Sequence, residues 1–407
     1  MNAGLTRGRV LPILFRMRLP LGRHSPRSGS LSAVLTLLFT ACEPAPPAEF
    51  RVGLIGVYAG TMAGSSGIPA RQGADLAVER LNAAGGVMID GRAHRVILIE
   101  RETDNRADAA ALAARALINL DSVDVVIGPQ TSNLAIAAAP VAEVSQVPMI
   151  TPMASNPAVT AGRRMVIRLA FLDAFQGEVL ARFAYDSLRM RRAGALHDAG
   201  SAYGREITRL FRQTFESLGG EVVQVETFDA DDPREHSPQL RRILADRPDA
   251  IVLPNFVVHD SAQIRVARAL GFRGLFLGSD SWDISTMASR EDALGSFVVA
   301  NWNRLADRPA SREFLTLWDA KYPNDRARAT GAATYDAILM AAAAASKSGV
   351  RGGPALADTL RNLGAWSGAL AEFDFRGTGD PKRGAVVLEI HRDSMRLRAV
   401  IAPAKEP

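Results

Sequence analysis

The sequence predicts an α/β fold made of two doubly wound, parallel-sheet lobes. The first observation behind this prediction is that β-rich and helical segments alternate from Phe50 onward. Such alternation is typical of a parallel sheet covered by helices on both faces. The second observation is that the alternation restarts after Arg168. The third is the length of 407 residues, which is enough for two domains with sizeable cores.

The first half of the chain supplies the clearest segments. Its β-rich runs predict strands at 51–58, 94–104, 123–128 and 147–151. Its alanine-rich and amphipathic runs predict helices at 68–86, 107–119 and 134–146. Pro69 suits a first helical turn, and the pair Gly85-Gly86 suits the end of that helix.

The second half repeats the pattern after a helix that is expected to begin near Ala174. Further strands are predicted at 191–198, 221–228, 249–256 and 274–280, with helices at 203–220, 260–271 and 331–349. A β-rich tail follows at 369–400. No low-complexity linker separates the halves, which favours a chain that crosses several times between the lobes.

The N-terminal segment has the composition of an export signal. Residues 1–41 hold six arginines and no acid, and the short apolar run LSAVLTLLFTAC closes them at Cys42. About eleven apolar residues are too few to span a bilayer as a helix. Cys42 follows Phe39, Thr40 and Ala41, which resembles a bacterial lipobox and predicts a lipidated mature N-terminus; the alternative is an ordinary secretory signal with an incidental cysteine. The proline-rich residues 42–49 are interpreted as a tether.

Charge and cysteine content exclude several classes of protein. The chain has 48 basic and 43 acidic residues, but without residues 1–41 the balance is 42 against 43, a net charge of −1. A nearly neutral body argues against a nucleic-acid surface despite the pI of 9.7. Cys42 is the only cysteine, so disulfides play no part.

The stretch VDVVIGPQTSN, residues 123–133, could in principle hold a phosphate, carry a nucleophilic serine or bind a small ligand. The chain has no G-x-x-x-x-G-K-S/T loop, and no lysine lies near this stretch to meet a phosphate. It has no G-x-S-x-G elbow and no H-E-x-x-H spacing. We therefore predict neither a cofactor, nor a metal site, nor catalytic residues, and we favour a ligand-binding role.

Polar side chains at the ends of strands suggest what the ligand is. Ligands of open α/β sheets bind where loops leave the carboxyl ends of the strands. Ser132 and Ser155 occupy such places, where helix N-termini favour an anion, although serine also caps helices routinely. Asp280 lies at the carboxyl end of the predicted strand 274–280 and could hold a cation, or equally be a solvated loop acid or a cap. Together the three residues suit a zwitterion, with its carboxylate at the serines and its ammonium at the acid.

The order and spacing of several motifs resemble those of type I periplasmic binding proteins of branched-chain amino acid ABC transporters. The motifs are GLIGVYAG, GADLAVERLNAAGGV, the polar run after DVVIGP, VPMITPMASNP, HDAGSAYGRE, ARALGFRGLFLGSD and FDFRGTGD. The resemblance covers roughly residues 50–400. It implies two lobes joined by a three-strand hinge, with lobe 1 formed by 50–170 and 303–363, and lobe 2 by 171–302 and 364–403.

The resemblance also implies which first-lobe residues bind the ligand. The serine after G-P, which contacts the ligand carboxylate in the family, corresponds to Ser132, with Gln130 and Thr131 beside it. The hydroxyl residue after the I-T-P strand corresponds to Ser155, and backbone groups of Met153 are expected to contribute.

In the second lobe, the tyrosine of the Y-G step corresponds to Tyr203, which is expected to cover the carboxylate as a lid. The ammonium-binding acid corresponds to Asp280, and Phe256 falls where an aromatic residue often lines the wall. Some members carry an aromatic residue in the first loop, where this chain has Ser65 and Ser66. Trp282 is expected to compensate, or the side-chain pocket is wider.

The resulting expectation is a periplasmic, lipid-anchored, non-enzymatic protein that binds an amino acid or small carboxylate and presents it to an ABC permease. An alternative of the same fold is a ligand-sensing or partner-activating lipoprotein, such as a regulator of peptidoglycan synthesis. A hydrolase would need a base near Ser132, and no histidine falls in the first-lobe loops.

Overall fold

The computed structural model describes residues 48–230, 232, 236–282, 286–287 and 289–402. The predicted signal segment 1–41, the lipidation site Cys42 and the tether up to residue 47 lie outside the described residues. The tether was predicted to reach residue 49, but Ala48 and Glu49 already belong to the first strand and pair with the third. No helix within the described residues is long and apolar enough to cross a membrane.

The first sheet has six strands in the order β2-β3-β1-β4-β5-β6. Their bounds are β1 Ala48–Gly56, β2 Val87–Ile89, β3 Arg92–Glu102, β4 Val125–Ile127, β5 Met149–Thr151 and β6 Val166–Arg168. The helices between them are α1 Ile68–Ala83, α2 Ala107–Asn119 and α3 Ser132–Ser145. All neighbouring strands are parallel except β2, which forms an antiparallel hairpin with β3.

The second sheet begins after the helix α4. The bounds of its first elements are α4 Asp173–Arg182, β7 Arg192–Asp198, α5 Ala202–Ser217, β8 Glu221–Phe228, α6 Ser237–Ala245, β9 Ala250–Leu253, α7 Val257–Ala269, β10 Leu275–Gly278 and β11 Phe297–Ala300. The pairs among these five strands are parallel. The restart of the strand–helix alternation after Arg168 therefore corresponds to a second sheet, as predicted.

The chain then returns to the first sheet and crosses back. The returning elements are the helices Pro309–Lys321, Ala329–Ser348 and Gly353–Arg361 and the hairpin β12 Gly364–Ser367 with β13 Glu372–Phe375. The strands β14 Ala385–His391 and β15 Ser394–Ile401 complete the second sheet, whose order is β15-β14-β11-β10-β9-β7-β8. Both join antiparallel, so each sheet is parallel in its centre and antiparallel at one edge.

Each sheet has a hydrophobic core on both of its faces. Helix Ala329–Ser348 covers one face of the first sheet, and α2 and α3 cover the other. The second sheet likewise has separate buried clusters on its two sides. The predicted α/β, doubly wound fold is therefore confirmed, and it places the carboxyl ends of β4, β5 and β10 at the same cleft as the end of β11.

Three segments connect the two sheets, at 169–172, 301–308 and 376–384, and they lie outside the named strands. Arg383 holds all three together. Its buried guanidinium donates to the Leu169 carbonyl at 2.8 Å and to the Asn301 carbonyl at 2.5 Å. The two-lobe division remains our proposal, and because Phe373 and Phe375 pack into the first-sheet core, we place its third boundary in 376–384 rather than at 363.

Candidate functional site

A cavity lies between the two sheets at the carboxyl ends of their central strands. Its wall combines the loops after β4, β5, β10 and β11, the starts of α5 and α7, and the segments 302–305 and 326–330. The structure brings all nine predicted ligand-binding residues together in this wall: Gln130, Thr131, Ser132, Met153, Ser155, Tyr203, Phe256, Asp280 and Trp282. They come from stretches of chain up to 152 positions apart and from both sheets.

The turn after β4 depends on a glycine. Gly128 has φ +92°, a backbone conformation that residues with a Cβ adopt only with strain. A Cβ on Gly128 would also lie 2.5 Å from the Ile55 carbonyl oxygen of the neighbouring strand. Only glycine lets the chain leave the sheet at this point, and the turn delivers Gln130, Thr131 and Ser132 to the cavity.

Ser132 is not the cap of α3. Thr131 occupies the N-cap position and makes no side-chain capping hydrogen bond. The buried Ser132 hydroxyl instead accepts a hydrogen bond from the Asn156 backbone N–H at 3.2 Å, which ties the loop after β4 to the loop after β5. A hydroxyl that accepts one hydrogen bond still has its own proton to donate, so Ser132 can donate to an oxygen in the cavity.

Several buried polar atoms of the wall have no hydrogen-bond partner among the described residues. They are the Ser155 and Ser66 hydroxyl oxygens and the Gln130 Oε1 atom. An unsatisfied buried polar group costs about 1–3 kcal/mol, so such groups are rare without a reason. Ser155 is almost fully buried and caps no helix, because Asn156 is the residue that caps the following turn. The wall therefore offers hydroxyl groups that can donate and an amide oxygen that can accept hydrogen bonds from something polar in the cavity.

Asp280 is surrounded by hydrogen-bond donors at the opposite wall. Its Oδ1 atom accepts from the Tyr203 hydroxyl at 2.5 Å and from the Gln176 amide at 2.9 Å. Its Oδ2 atom accepts from the Asn301 amide. A carboxylate has about four lone-pair sites, so at least one site of this fixed carboxylate is left for a cation.

Burial raises the pKa of Asp280 above its ordinary value, although the three donors and the positive charge of Arg383 oppose that rise. Burial in turn lowers the pKa of Arg383 to about 9, and the negative charge of Asp280 opposes that fall. Hydrogen-bond donors stabilise the ionised form of such an acid, whereas burial destabilises it. A nearby cation would therefore stabilise the ionised form further. The cavity therefore offers a cation site at Asp280.

Asp173 lies behind Ser155 as the first residue of α4 and is fully buried. Neither of its carboxyl oxygens has a hydrogen-bond partner of ordinary geometry among the described residues, while its backbone N–H donates to the Ser155 carbonyl at 3.1 Å. Burial raises the pKa of Asp173 to about 8; the Ser155 hydroxyl opposes this rise and the charge of Asp280 adds to it. At neutral pH Asp173 therefore carries a proton and adds no second negative charge to the cavity.

The aromatic residues of the second sheet form one wall. The rings of Tyr203 and Phe256 are stacked, with centroids 6.2 Å apart. Phe256 also packs against the first-sheet cluster that contains Met62 and Leu134. The buried Trp282 indole donates to the Leu253 carbonyl at 3.0 Å. The Tyr203 hydroxyl donates to Asp280 at 2.5 Å, and its expected role as a lid over the ligand carboxylate stays a prediction.

Sequence reasoning missed several residues of the site. Asn301 lies just past the end of β11. This strand was not predicted, so the sequence did not indicate that Asn301 follows the carboxyl end of a strand. Gln176 lies on the buried side of α4, and nothing in its local sequence distinguishes it. Met62 and Trp302 also line the cavity, and the Trp302 indole donates to the Ala369 carbonyl at 3.1 Å. They supply the apolar surface that the first loop lacks at Ser65 and Ser66.

Known proteins share this architecture over nearly the whole chain. A Leu/Ile/Val-binding protein of Rhizobium johnstonii is 26% identical over 348 residues, covering 84% of this chain and 91% of the relative. The crystal structure of a leucine-binding protein from Thermotoga maritima superposes with a TM-score of 0.81 at 29% identity, covering 87% of this chain and 99% of that one.

A solute-binding protein of an ABC transporter from R. palustris, solved in complex with benzoate, has a TM-score of 0.78 at 20% identity, a likeness of fold alone. It covers 88% of this chain and 98% of its own. The profile of the periplasmic binding protein family matches residues 49–394, which is most of the described chain. The chain therefore belongs to the periplasmic binding protein family.

Proposed function

We propose that this protein is the substrate-binding component of an ABC importer and that its substrate is an amino acid, branched-chain or related. The observation that carries the proposal is the division of polar groups across one cavity. A fixed carboxylate, Asp280, lies on one wall, and the hydroxyl groups of Ser132 and Ser155 lie on the other. An amino acid is a zwitterion whose two charged groups match that division.

The ligand carboxylate lies at the start of α3, where it accepts from the Ser132 and Ser155 hydroxyls. The unpaired backbone N–H groups and the positive end of the helix dipole add to its stabilisation. We also assign Gln130, Thr131 and the Met153 backbone to this half of the site, because all three line the same wall.

The ligand ammonium lies at Asp280, in the position left open by Tyr203, Gln176 and Asn301. Charge-assisted hydrogen bonds of this kind are worth about 1.5–3 kcal/mol each. The ligand side chain then meets the apolar surface of the cavity, which is formed by Met62, Phe256, Trp282, Trp302 and Leu305. This surface favours a branched or aromatic side chain over a positively charged one, since Arg304, Arg326 and Arg328 also line the cavity.

The names of the relatives and the composition of the wall favour transport over the partner-activating alternative. A protein that only binds a partner has no need of an acid held by three donors in a closed cavity. The proposed activity is binding and release, with no covalent step, so we assign no catalytic residue. Closure around the ligand is driven by its higher affinity for the closed state.

The cellular setting follows from the family and from the predicted leader. We assign the protein to the periplasm, anchored by lipid on Cys42, where it delivers its ligand to a membrane permease. Subcellular fractionation of cells that express the full chain tests the anchor. The wild-type protein is expected in the membrane fraction, and Cys42→Ser is expected to move it to the soluble periplasmic fraction; equal partitioning of the two would refute lipidation.

A ligand screen tests the proposed function. Thermal unfolding is measured with L-leucine, L-isoleucine, L-valine, L-phenylalanine and, as a carboxylate without an ammonium group, benzoate. A ligand at 100 times its dissociation constant stabilises the folded state by about 2.7 kcal/mol. We expect the apolar amino acids to raise the unfolding temperature and benzoate not to. Stabilisation by benzoate alone would show that the ligand is not a zwitterion, and no stabilisation at all would favour the partner-activating alternative.

A further inference from the structure

Two asparagines join the loops that face each other across the cleft. Asn133, on the first turn of α3, donates its amide to the Gly200 carbonyl at 3.0 Å and accepts from the Ala202 N–H at 3.0 Å. Asn156, after β5, donates its amide to the Ala202 carbonyl at 3.1 Å. Neither asparagine lines the cavity. Both contacts therefore join the first-sheet side to the start of α5 on the second-sheet side without involving the ligand.

The chemistry of these contacts suits a carboxamide. Gly200 presents a carbonyl and Ala202 an N–H, so their partner must donate and accept at once, as the Asn133 side chain does. The Asn156 side chain uses its oxygen and its nitrogen on different partners. Its Oδ1 atom accepts from the Ala158 N–H at 3.0 Å and caps the turn that follows Asn156. Its Nδ2 atom donates to the Ala202 carbonyl of the opposite lobe. Both backbone groups of Ala202, the first residue of α5, are thus held by the first-sheet side.

These contacts bring the N-termini of α3 and α5 together. Both helix ends carry partial positive charge, so their approach is unfavourable unless something opposes it. A ligand carboxylate at Ser132 is one such contribution, and the hydrogen bonds of Asn133 and Asn156 are another. Only the first of these depends on the ligand.

We infer that Asn133 and Asn156 form an inter-lobe latch, which sets the equilibrium between the open and closed protein and thereby the affinity for every ligand alike. The inference rests on the proposed function, in that closure is what retains the ligand. When the competent state is partly populated, the apparent dissociation constant equals the intrinsic constant divided by the competent fraction. Loss of the latch therefore weakens all ligands by a common factor and accelerates their release.

The test uses two neutral variants that spare the local structure. Asn133→Ala removes both hydrogen bonds of this side chain, which is exposed and otherwise unengaged. Asn156→Ser keeps an N-cap acceptor for the Ala158 N–H but is too short to reach Ala202. Asn119→Ala, at the exposed end of α2, is the control.

Calorimetry and stopped-flow fluorescence with L-leucine and L-valine give the dissociation constants and release rates. We expect each variant to raise both dissociation constants about tenfold, which is about 1.4 kcal/mol. The ratio of the leucine and valine constants should stay unchanged, and the loss of affinity should come from faster release of the ligand. The control is expected to match the wild type. Small-angle scattering is expected to show a larger radius of gyration for the ligand-free variants than for ligand-free wild type.

Three results would overturn the latch. The first is affinity within twofold of wild type together with an unchanged ligand-free radius of gyration. The second is a changed leucine-to-valine ratio, which would mean that the residue contacts the ligand. The third is a loss of affinity with an unchanged release rate, because loss of a contact made only in the closed state must accelerate release. If wild type binds neither amino acid, the proposed function fails, while the ligand-free radius of gyration still decides whether the latch exists.

Discussion

Replacing Asp280 with asparagine removes the charge of the proposed ammonium site and little else. The variant amide keeps an oxygen for the Tyr203 and Gln176 donors, which both bond to Oδ1 at 2.5 and 2.9 Å. Only the contact with Asn301 is mismatched, since two amide NH₂ groups would then face each other unless one of them turns over. Because burial already disfavours the ionised form of Asp280, we expect the folded protein to keep its stability.

The effect on an amino acid should be large, because its ammonium would then be buried opposite a neutral group. Truncating one partner of a buried, hydrogen-bonded charge pair costs about 2–5 kcal/mol, which is roughly 30- to 4,000-fold in the dissociation constant of L-leucine. A second ligand, 4-methylpentanoate, has the same side chain and carboxylate but no ammonium group. Its affinity should change little, so the preference of the wild-type protein for L-leucine should collapse in Asp280→Asn.

Isothermal titration calorimetry of both ligands with both proteins gives the four constants that this cycle needs. Thermal unfolding of the ligand-free proteins checks that the variant is folded. Asp280→Asn with L-leucine affinity within threefold of wild type would refute the placement of the ammonium at Asp280. An equal loss for L-leucine and 4-methylpentanoate would show that the substitution damages the cavity rather than removing a charge partner.

Three further substitutions test the other groups of the site. Ser132→Ala should weaken L-leucine binding, measured by calorimetry, by about 1.5–3 kcal/mol, the value of a hydrogen bond to a charged group. Ser145→Ala at the far end of α3 serves as the control. Equal affinities of Ser132→Ala and the wild-type protein would remove Ser132 from the site. The pKa of Asp173 is raised to about 8 in the folded protein, so protonation of Asp173 stabilises the fold at low pH. As the pH rises towards 8, this contribution to the free energy of unfolding is lost at about 1.4 kcal/mol per pH unit. Asp173→Asn should therefore flatten the pH dependence of urea unfolding between pH 5 and 8, and an unchanged slope would refute the assignment. Arg383→Met should destabilise the fold by about 2–6 kcal/mol in urea unfolding, because the buried Leu169 and Asn301 carbonyls each lose a donor at about 1–3 kcal/mol. A loss below about 1 kcal/mol would show that Arg383 does not hold the three connections.

Much of the candidate site could be predicted from the sequence because ligands of open α/β sheets bind at the carboxyl ends of the strands. A short buried strand such as β4 is recognisable from its apolar residues, and the position where it ends fixes which side chains reach the cleft. The helix 107–119 was predicted with the bounds that the structure shows, because its alanine-rich pattern begins and ends abruptly. The cleft was therefore predictable wherever strand and helix both had clear local signals.

The rest of the site depends on contacts that no local pattern reports. Gln176 matters only because α4 packs where its amide meets a carboxylate 104 positions later in the chain. Asn301 follows a four-residue strand, and the short apolar run FVVA is only a weak indication of that strand. The resemblance places Tyr203 at the cavity but does not predict the hydrogen bond that its hydroxyl donates to Asp280. A position can be carried over from a family, whereas its hydrogen-bond partner depends on the neighbours in this particular chain.

In the proposed mechanism the two ends of the ligand are recognised by different sheets, and this division would couple binding to closure. The donors around Asp280 come from the second sheet and its connections, so none of these hydrogen bonds depends on a residue of the first sheet. The Ser132 and Ser155 hydroxyls belong to the first sheet, and in the proposed mechanism they reach the same ligand when the cleft closes. A molecule with one charged end satisfies one wall and leaves the other with unpaired buried groups, each of which costs about 1–3 kcal/mol. In this proposal only a zwitterion gains on both walls, so discrimination against simple acids and amines would come from closure, while Arg383 joins the connecting segments through its hydrogen bonds to the Leu169 and Asn301 carbonyls.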